Sequence, residues 1–142
     1  MSRGGPPGAP AVTALLVVTA AGTAAYWVAF FTAGGALHSS ETDVYLAYER
    51  AFPAADAWLA LAAIAAAVGL VRGRAWAPVA GIATGSALVY LGLLDVLFDV
   101  EQGLYATRSG AMAAEAVINA WCLAVGPFLL VWFWRYRDRL AV

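Results

Sequence analysis

The chain has 142 residues, of which 63% are hydrophobic and 12% are charged, and its formal net charge is −1. Soluble domains are typically about 45–50% apolar and about 25% charged, so this composition indicates one domain that lies in a lipid bilayer. The near-neutral charge and the lack of a basic run exclude the electrostatic pattern of a nucleic-acid-binding protein. Cys122 is the only cysteine, which excludes an internal disulfide, a CxxC redox pair and a thiolate zinc site.

The first ten residues form a Gly/Pro-rich leader for which we predict no ordered structure. The run 11–33 that follows carries no charge, and at about 1.5 Å per residue its helix would extend about 34 Å, enough to cross a hydrocarbon core of about 30 Å. A cleaved signal peptide is the alternative, because Arg3 precedes the run and small residues at 21–25 offer a cleavage site. The run is too long for the apolar region of a signal peptide, so we interpret it as a first membrane span.

The segment 34–52 is the longest polar stretch of the chain. Ser40 followed by Asp43 resembles the start of a helix, which predicts a short helix over 41–51 at the membrane surface. We expect its apolar side chains to face the lipid: Val44, Leu46, Ala47 and Phe52.

Three more apolar runs have the length of a membrane span. Pro53 suits the first turn of the second span, and the basic turn 72–74 makes the second and third spans antiparallel neighbours. We expect a kink at Gly126-Pro127 in the last span. The sequence therefore predicts an all-α fold, a four-helix transmembrane bundle over 11–135 with spans at about 11–33, 53–71, 75–98 and 111–134, followed by a tail at 136–142.

The arginines predict the orientation of this bundle. Six of the eight lie at one end of the predicted bundle: Arg3, Arg72, Arg74, Arg135, Arg137 and Arg139. Only Arg50 and Arg108 lie at the other end. By the positive-inside bias, both termini are expected in the cytoplasm of a bacterial plasma membrane, with nearly all the acidic residues in the outer half.

Three predicted spans each carry a carboxylate at similar depth, about one turn inside the outer end of the helix: Asp56, Asp95 and Glu115. A charge at membrane depth costs between about 2.5 and about 10 kcal/mol, so such side chains are expected to face the bundle interior or a wet cavity. Asp99 shares a helical face with Asp95, and Asn119 shares one with Glu115. Together with an acid of the polar segment they form the candidate binding site: Asp56, Asp95, Asp99, Glu115, Asn119 and Glu49.

This acidic cluster has two interpretations. The acids could be solvated at the headgroup level, with Arg50 and Arg108 neutralising part of their charge. Alternatively, they line a pocket open to the outer face, in which crowded carboxylates share protons or a cation. The sequence does not decide between the two.

Other polar and small residues have structural interpretations. His38 could bind a metal or carry a proton, but we interpret it as a solvated loop residue. Cys122, in mid-span, is expected to be a buried thiol, and Asn119 to form a hydrogen bond with another helix. The GxxxG pattern of Gly81 and Gly85 is expected to pack inside the bundle rather than to mediate dimerisation.

Three segments resemble a pattern in uncharacterised small four-span integral membrane proteins of actinobacteria: Phe52–Trp58, Leu94–Tyr105 and Glu115–Asn119. The resemblance covers about residues 45–135. It implies the four-span topology and carries no activity.

Our first hypothesis is a non-enzymatic membrane protein whose outward-facing acidic pocket binds a cation, a proton or an amphiphile. A membrane-embedded enzyme acting on a lipid or isoprenoid is the alternative, with Asp95, Asp99 and Glu115 as acid and base; it requires a cavity of at least about 300 Å³. A purely structural or accessory subunit is the third possibility. The expected partners are the lipid bilayer and a homo-oligomer or larger membrane complex, with no nucleic acid, metal or cofactor.

Overall fold

The computed structural model of the protein describes residues 5–140, and all the regular secondary structure in this range is helical. The elements are α1 (Ala9–Thr32), α2 (Asp43–Glu49), α3 (Pro53–Val71), α4 (Ala77–Glu101), a 3₁₀ turn (Leu104–Ala106) and α5 (Gly110–Leu140). Four helical segments are long and apolar enough to cross a membrane. They are α1, the segment Asp43–Val71 that contains both α2 and α3, then α4, and finally α5. The prediction of an all-α chain with four such segments is confirmed.

The helix bounds follow the predicted spans, except that α4 and α5 extend further at their C-terminal ends. α3 begins at Pro53 as predicted, because proline lacks the N–H that would be left unpaired in a first turn. α4 continues three residues past position 98, and α5 continues through Pro127 as far as Leu140. The arginine-rich end of the chain is therefore helical. Of the predicted leader and tail, residues 1–4 and 141–142 lie outside the described residues, and α1 already begins at Ala9.

The short helix α2 begins later than predicted. Thr42 rather than Ser40 is its N-cap, and the Thr42 side chain accepts a hydrogen bond from the backbone N–H of Tyr45 at 3.3 Å. Ser40 donates instead to the Thr42 hydroxyl. Val44 is exposed as expected, whereas Tyr45 and Glu49 are buried on the opposite side of the helix. This side of α2 covers one end of the bundle.

Helices α4 and α5 make the most extensive contact in the bundle, and glycines make it possible. A Cβ atom added to Gly85 would lie 2.8 Å from the carbonyl oxygen of Gly126, and one added to Gly92 would lie 2.9 Å from Cβ of Cys122. Gly81 faces the ring of Phe133 in the same interface. The GxxxG pattern thus packs inside the bundle, as predicted.

Helices α1 and α5 make few direct backbone contacts and are bridged by tryptophan side chains. Trp121 Nε1 donates a hydrogen bond to Thr19 Oγ1, and Trp132 Nε1 donates one to the carbonyl oxygen of Pro7, both at 3.1 Å. The second bond holds the start of α1 against the last turns of α5. Both ends of the described chain therefore lie at one end of the bundle, and the acidic residues of α3, α4 and the start of α5 lie at the other.

Candidate functional site

A cavity of about 250 Å³ lies in the half of the bundle that contains these acidic residues. Four carboxylates from α2, α3, α4 and α5 line it: Glu49, Asp56, Asp95 and Glu115. The rest of the wall is mainly aliphatic and aromatic, and includes Tyr26, Trp27, Phe52, Leu59, Leu88, Leu91, Ile118, Trp121 and Cys122. The fold thus brings four of the predicted binding residues to one cavity.

Asp56 and Asp95 accept hydrogen bonds from aromatic side chains of other helices. Trp27 Nε1 of α1 donates to Asp56 Oδ2 at 2.6 Å, and the Tyr48 hydroxyl of α2 donates to Asp95 Oδ1 at 3.1 Å. The Tyr48 ring is stacked on Phe98, with the ring centroids 3.8 Å apart. Stacking holds the hydroxyl in position, so both carboxylates are oriented by rigid neutral donors.

Glu49 and Glu115 are the two most buried carboxylates of the cavity wall, with 6% and 7% exposure. The hydroxyl of Tyr26 donates to Glu49 Oε2 at 3.3 Å, and Ser39 Oγ donates to Glu115 Oε2. These bonds tie α2 to α1 and the loop before α2 to α5. A hydrogen bond from a neutral group orients a carboxylate but leaves its charge uncompensated.

Neither Arg50 nor Arg108 is placed to compensate these charges. Both arginines are exposed, and within residues 5–140 the ion pairs shorter than 4 Å involve other side chains. The interpretation in which these arginines neutralise part of the charge therefore has no ion pair to support it. The buried geometry instead favours the interpretation as a pocket.

Asp99 and Asn119 lie beside the cavity and not on its wall. Asn119 Nδ2 donates to Asp99 Oδ2 at 3.0 Å and to the Tyr105 hydroxyl oxygen at 3.2 Å, which confirms the predicted interhelical bond. Both side chains are almost fully buried, and Asp99 Oδ1 and Asn119 Oδ1 accept no hydrogen bond from the described part of the chain. This pair closes the space between α4 and α5 next to the cavity.

The neutral donors of the site were not found by sequence reasoning: Ser39, Tyr26, Trp27 and Tyr48. Tyrosine and tryptophan are common at any membrane interface, so their presence near helix ends does not single them out. Tyr45 of α2 is 1% exposed, and its hydroxyl accepts a hydrogen bond from the backbone N–H of Ser39. Phe52, predicted to face lipid, is half-buried and lines the cavity.

His38 is partly buried rather than solvated as predicted. Its Nδ1 lies 3.0 Å from Glu41 Oε1, and its ring centroid lies 4.6 Å from that of Phe30. Cys122 is buried, as expected for a thiol in mid-span. Among residues 5–140, no three His, Cys, Asp or Glu side chains are grouped so that they could hold a metal ion.

Comparison of the chain with protein-family models, curated proteins and solved structures finds no match. The function is therefore inferred from the residues of the cavity and their contacts.

Proposed function

We propose that the protein is a non-enzymatic multi-span membrane protein whose acidic cavity binds a positively charged ligand: a proton, a cation or the head of an amphiphile. One observation carries the proposal. Four carboxylates line a single cavity, each oriented by a neutral donor, and no basic side chain of residues 5–140 is part of its wall. Burying uncompensated carboxylates is costly, and a bound cation or protons would offset that cost.

We further propose that the protein lies in a bacterial plasma membrane with both termini in the cytoplasm. The arginines of the turn between α3 and α4 and of the end of α5 lie at the end of the bundle that holds both ends of the described chain: Arg72, Arg74, Arg135, Arg137 and Arg139. The positive-inside bias supports the assignment of that end to the cytoplasm. The acidic cavity would then belong to the outer half of the membrane.

Catalysis on a lipid or isoprenoid receives less support than binding. The cavity does extend past Asp95 to Leu88 and Leu91, as a lipid-binding site requires. Its volume of about 250 Å³ is below the size of about 300 Å³ at which small-molecule sites usually begin. An acyl or prenyl chain would fill it and leave little space for a second reactant.

Infrared difference spectroscopy of the purified protein in maltoside micelles tests the proposed cavity, because carboxyl C=O bands report protonation across a pH titration. In Asp95→Asn we expect the bands of the remaining cavity carboxyl groups to change their midpoints by about one pH unit or more. Charges that share one cavity titrate as a coupled set, so the loss of one alters the others.

Glu101→Gln is the matched control, because it removes an exposed carboxylate near the end of the same helix. We expect this variant to lose one independent band and to leave the other midpoints unchanged. If Asp95→Asn also removes one independent band and changes nothing else, the proposal of a shared acidic cavity is wrong.

A further inference from the structure

The cavity wall combines negative charge with aromatic and aliphatic surface. Besides the four carboxylates, it contains four aromatic side chains: Tyr26, Trp27, Phe52 and Trp121. Aromatic rings attract organic cations through their π-faces. Aliphatic side chains form much of the remaining wall: Leu59, Leu88, Leu91 and Ile118. A ligand that matches both parts of the wall carries a positive charge on an apolar body.

The carboxylates line the cavity, and among residues 5–140 they form no group of three that could hold a metal ion. They come from four different helices, and each is held by its own donor: Tyr26, Trp27, Tyr48 or Ser39. A hard metal ion needs its oxygen ligands at about 2.0–2.6 Å from one centre. An alkylammonium ion has its charge spread over the groups around nitrogen, so carboxylates several ångströms away on different sides can stabilise it. The geometry therefore favours an organic cation over a metal ion.

Glu49 supports a bound ligand independently of the other acids. Its side chain is 6% exposed and lines the cavity, and no basic group in the described part of the chain lies within 4 Å of it. Oε2 accepts one long hydrogen bond from Tyr26, and Oε1 accepts none from residues 5–140. A carboxylate side chain that is mostly buried and has one long hydrogen bond is costly unless a ligand or a proton offsets its charge.

The cavity opens between α1 and α5. Val18 of α1 and Val117 of α5 both line the cavity and are 53% and 69% exposed. Because α1 and α5 make few backbone contacts, the space between these valines is not closed by the main chain. Exposed valines on helices long and apolar enough to cross a membrane face acyl chains, so the opening is directed toward lipid.

We infer that the cavity binds a lipophilic organic ammonium ion, an amine with an apolar chain, which enters from the lipid between α1 and α5. This inference rests on the proposed function and adds the chemical class of the ligand and its route. The nitrogen lies among Glu49, Asp56, Asp95 and Glu115, and the chain lies along Leu59, Leu88 and Leu91.

Equilibrium binding of radiolabelled octyltrimethylammonium to the purified protein in maltoside micelles tests the ligand class. We expect saturable binding to the wild type and to the control Glu101→Gln. In Glu49→Gln the affinity should fall about tenfold or more, because one charge-assisted contact is lost. Circular dichroism establishes that both variants are folded.

Competition on the wild-type protein makes the test independent of any variant. Unlabelled octylammonium should displace the label, whereas octanol, octanoate and tetramethylammonium, which each lack the charge or the chain, should not. Displacement by octanol as strong as that by octylammonium would overturn the inference, because the charge would then not be recognised.

Two further outcomes separate this inference from the proposed function. If octyltrimethylammonium does not bind while coupled titration in the infrared persists, the ammonium ligand is wrong and the acidic cavity stands. If the label does not bind and the carboxyl groups titrate independently, both proposals are wrong.

Discussion

Neutral side chains hold the carboxylates of this protein in place without removing their charge. Trp27 and Tyr48 each donate one hydrogen bond to an acid of another helix, and Asn119 does the same for Asp99. An arginine in these positions would form an ion pair and fill the space that a cationic ligand needs. Neutral donors thus fix the position of each carboxylate and leave its negative charge available to a ligand.

The bond between Asn119 and Asp99 should contribute measurably to folding. We expect a double-mutant cycle with Asn119→Ala and Asp99→Ala to give a coupling of about 0.6 to about 1.7 kcal/mol in the free energy of unfolding, between the average and the largest value for interhelical hydrogen bonds in membranes. Unfolding in mixed micelles with increasing SDS measures this quantity. Gln102→Ala, which removes an exposed amide next to the end of α4, is the control and should have little effect. Additive effects of the two substitutions would show that the pair is not coupled.

The acids of the site were predictable and their partners were not. Asp56, Asp95 and Glu115 stand out because charged residues are rare in apolar helices and fall on faces rich in small residues. The donors Tyr26 and Ser39 lie 23 and 76 positions from the acids they contact. Which donor meets which acid depends on how the helices are placed around one another, and periodicity along one helix contains no such information.

The interface of α4 and α5 determines how closely the two helices approach. Gly85 and Gly126 face each other so that a Cβ atom on either would meet the backbone of the other helix at 2.8–3.0 Å. Backbone atoms at that distance cannot move aside as the end of a flexible side chain can. The two helices must therefore separate if either glycine gains a side chain, and the separation would also displace Asp95 and Glu115 relative to each other.

We expect Gly85→Ala to lower the free energy of unfolding by about 1–3 kcal/mol, the usual cost of an overpacked contact. Gly110→Ala, at the start of α5, is the control because a Cβ atom there meets nothing within 4 Å. The same SDS titration compares the two variants. A variant Gly85→Ala with unchanged stability but altered oligomeric state would show that this glycine pattern mediates association between copies.

The presence of each helix was easier to predict than the residues at which it begins and ends. Pro53 indicated the start of α3 because proline is tolerated best in the first turn of a helix. The predicted start of α2 was wrong because Ser40 and Thr42 are both good capping residues. Thr42 is the N-cap because its side chain accepts the hydrogen bond from the backbone N–H of Tyr45. α5 runs past position 134 because no glycine or proline follows Pro127, and its arginines are compatible with a helix C-terminus.

Three pairs of neighbouring helices in the bundle pack closely against each other, and the pair α1 and α5 does not. α1 contacts α3, α3 contacts α4 and α4 contacts α5, whereas α1 and α5 are joined mainly by the side chains of Trp121 and Trp132. This arrangement explains why the cavity opens to the side of the molecule. It also predicts which surface residues control entry.

Val117→Trp should slow the association of octyltrimethylammonium by about tenfold, because the larger side chain narrows the opening at its rim. Stopped-flow measurement of tryptophan fluorescence, calibrated for each variant, gives the rate. Val131→Trp is the control, since Val131 is 66% exposed on the same helix and does not line the cavity. Equal rates in the wild type and Val117→Trp would show that the ligand enters by another route.

An opening between Val18 and Val117 that faces acyl chains makes the bilayer a reservoir for the ligand. Occupancy then follows the mole fraction of the amine in the membrane and not its concentration in water. Each added methylene group favours partitioning into lipid by about 0.8 kcal/mol, or about fourfold. Longer homologues should therefore fill the cavity at lower aqueous concentrations even when their contacts with the protein are the same, so the lipid and the protein select the ligand together.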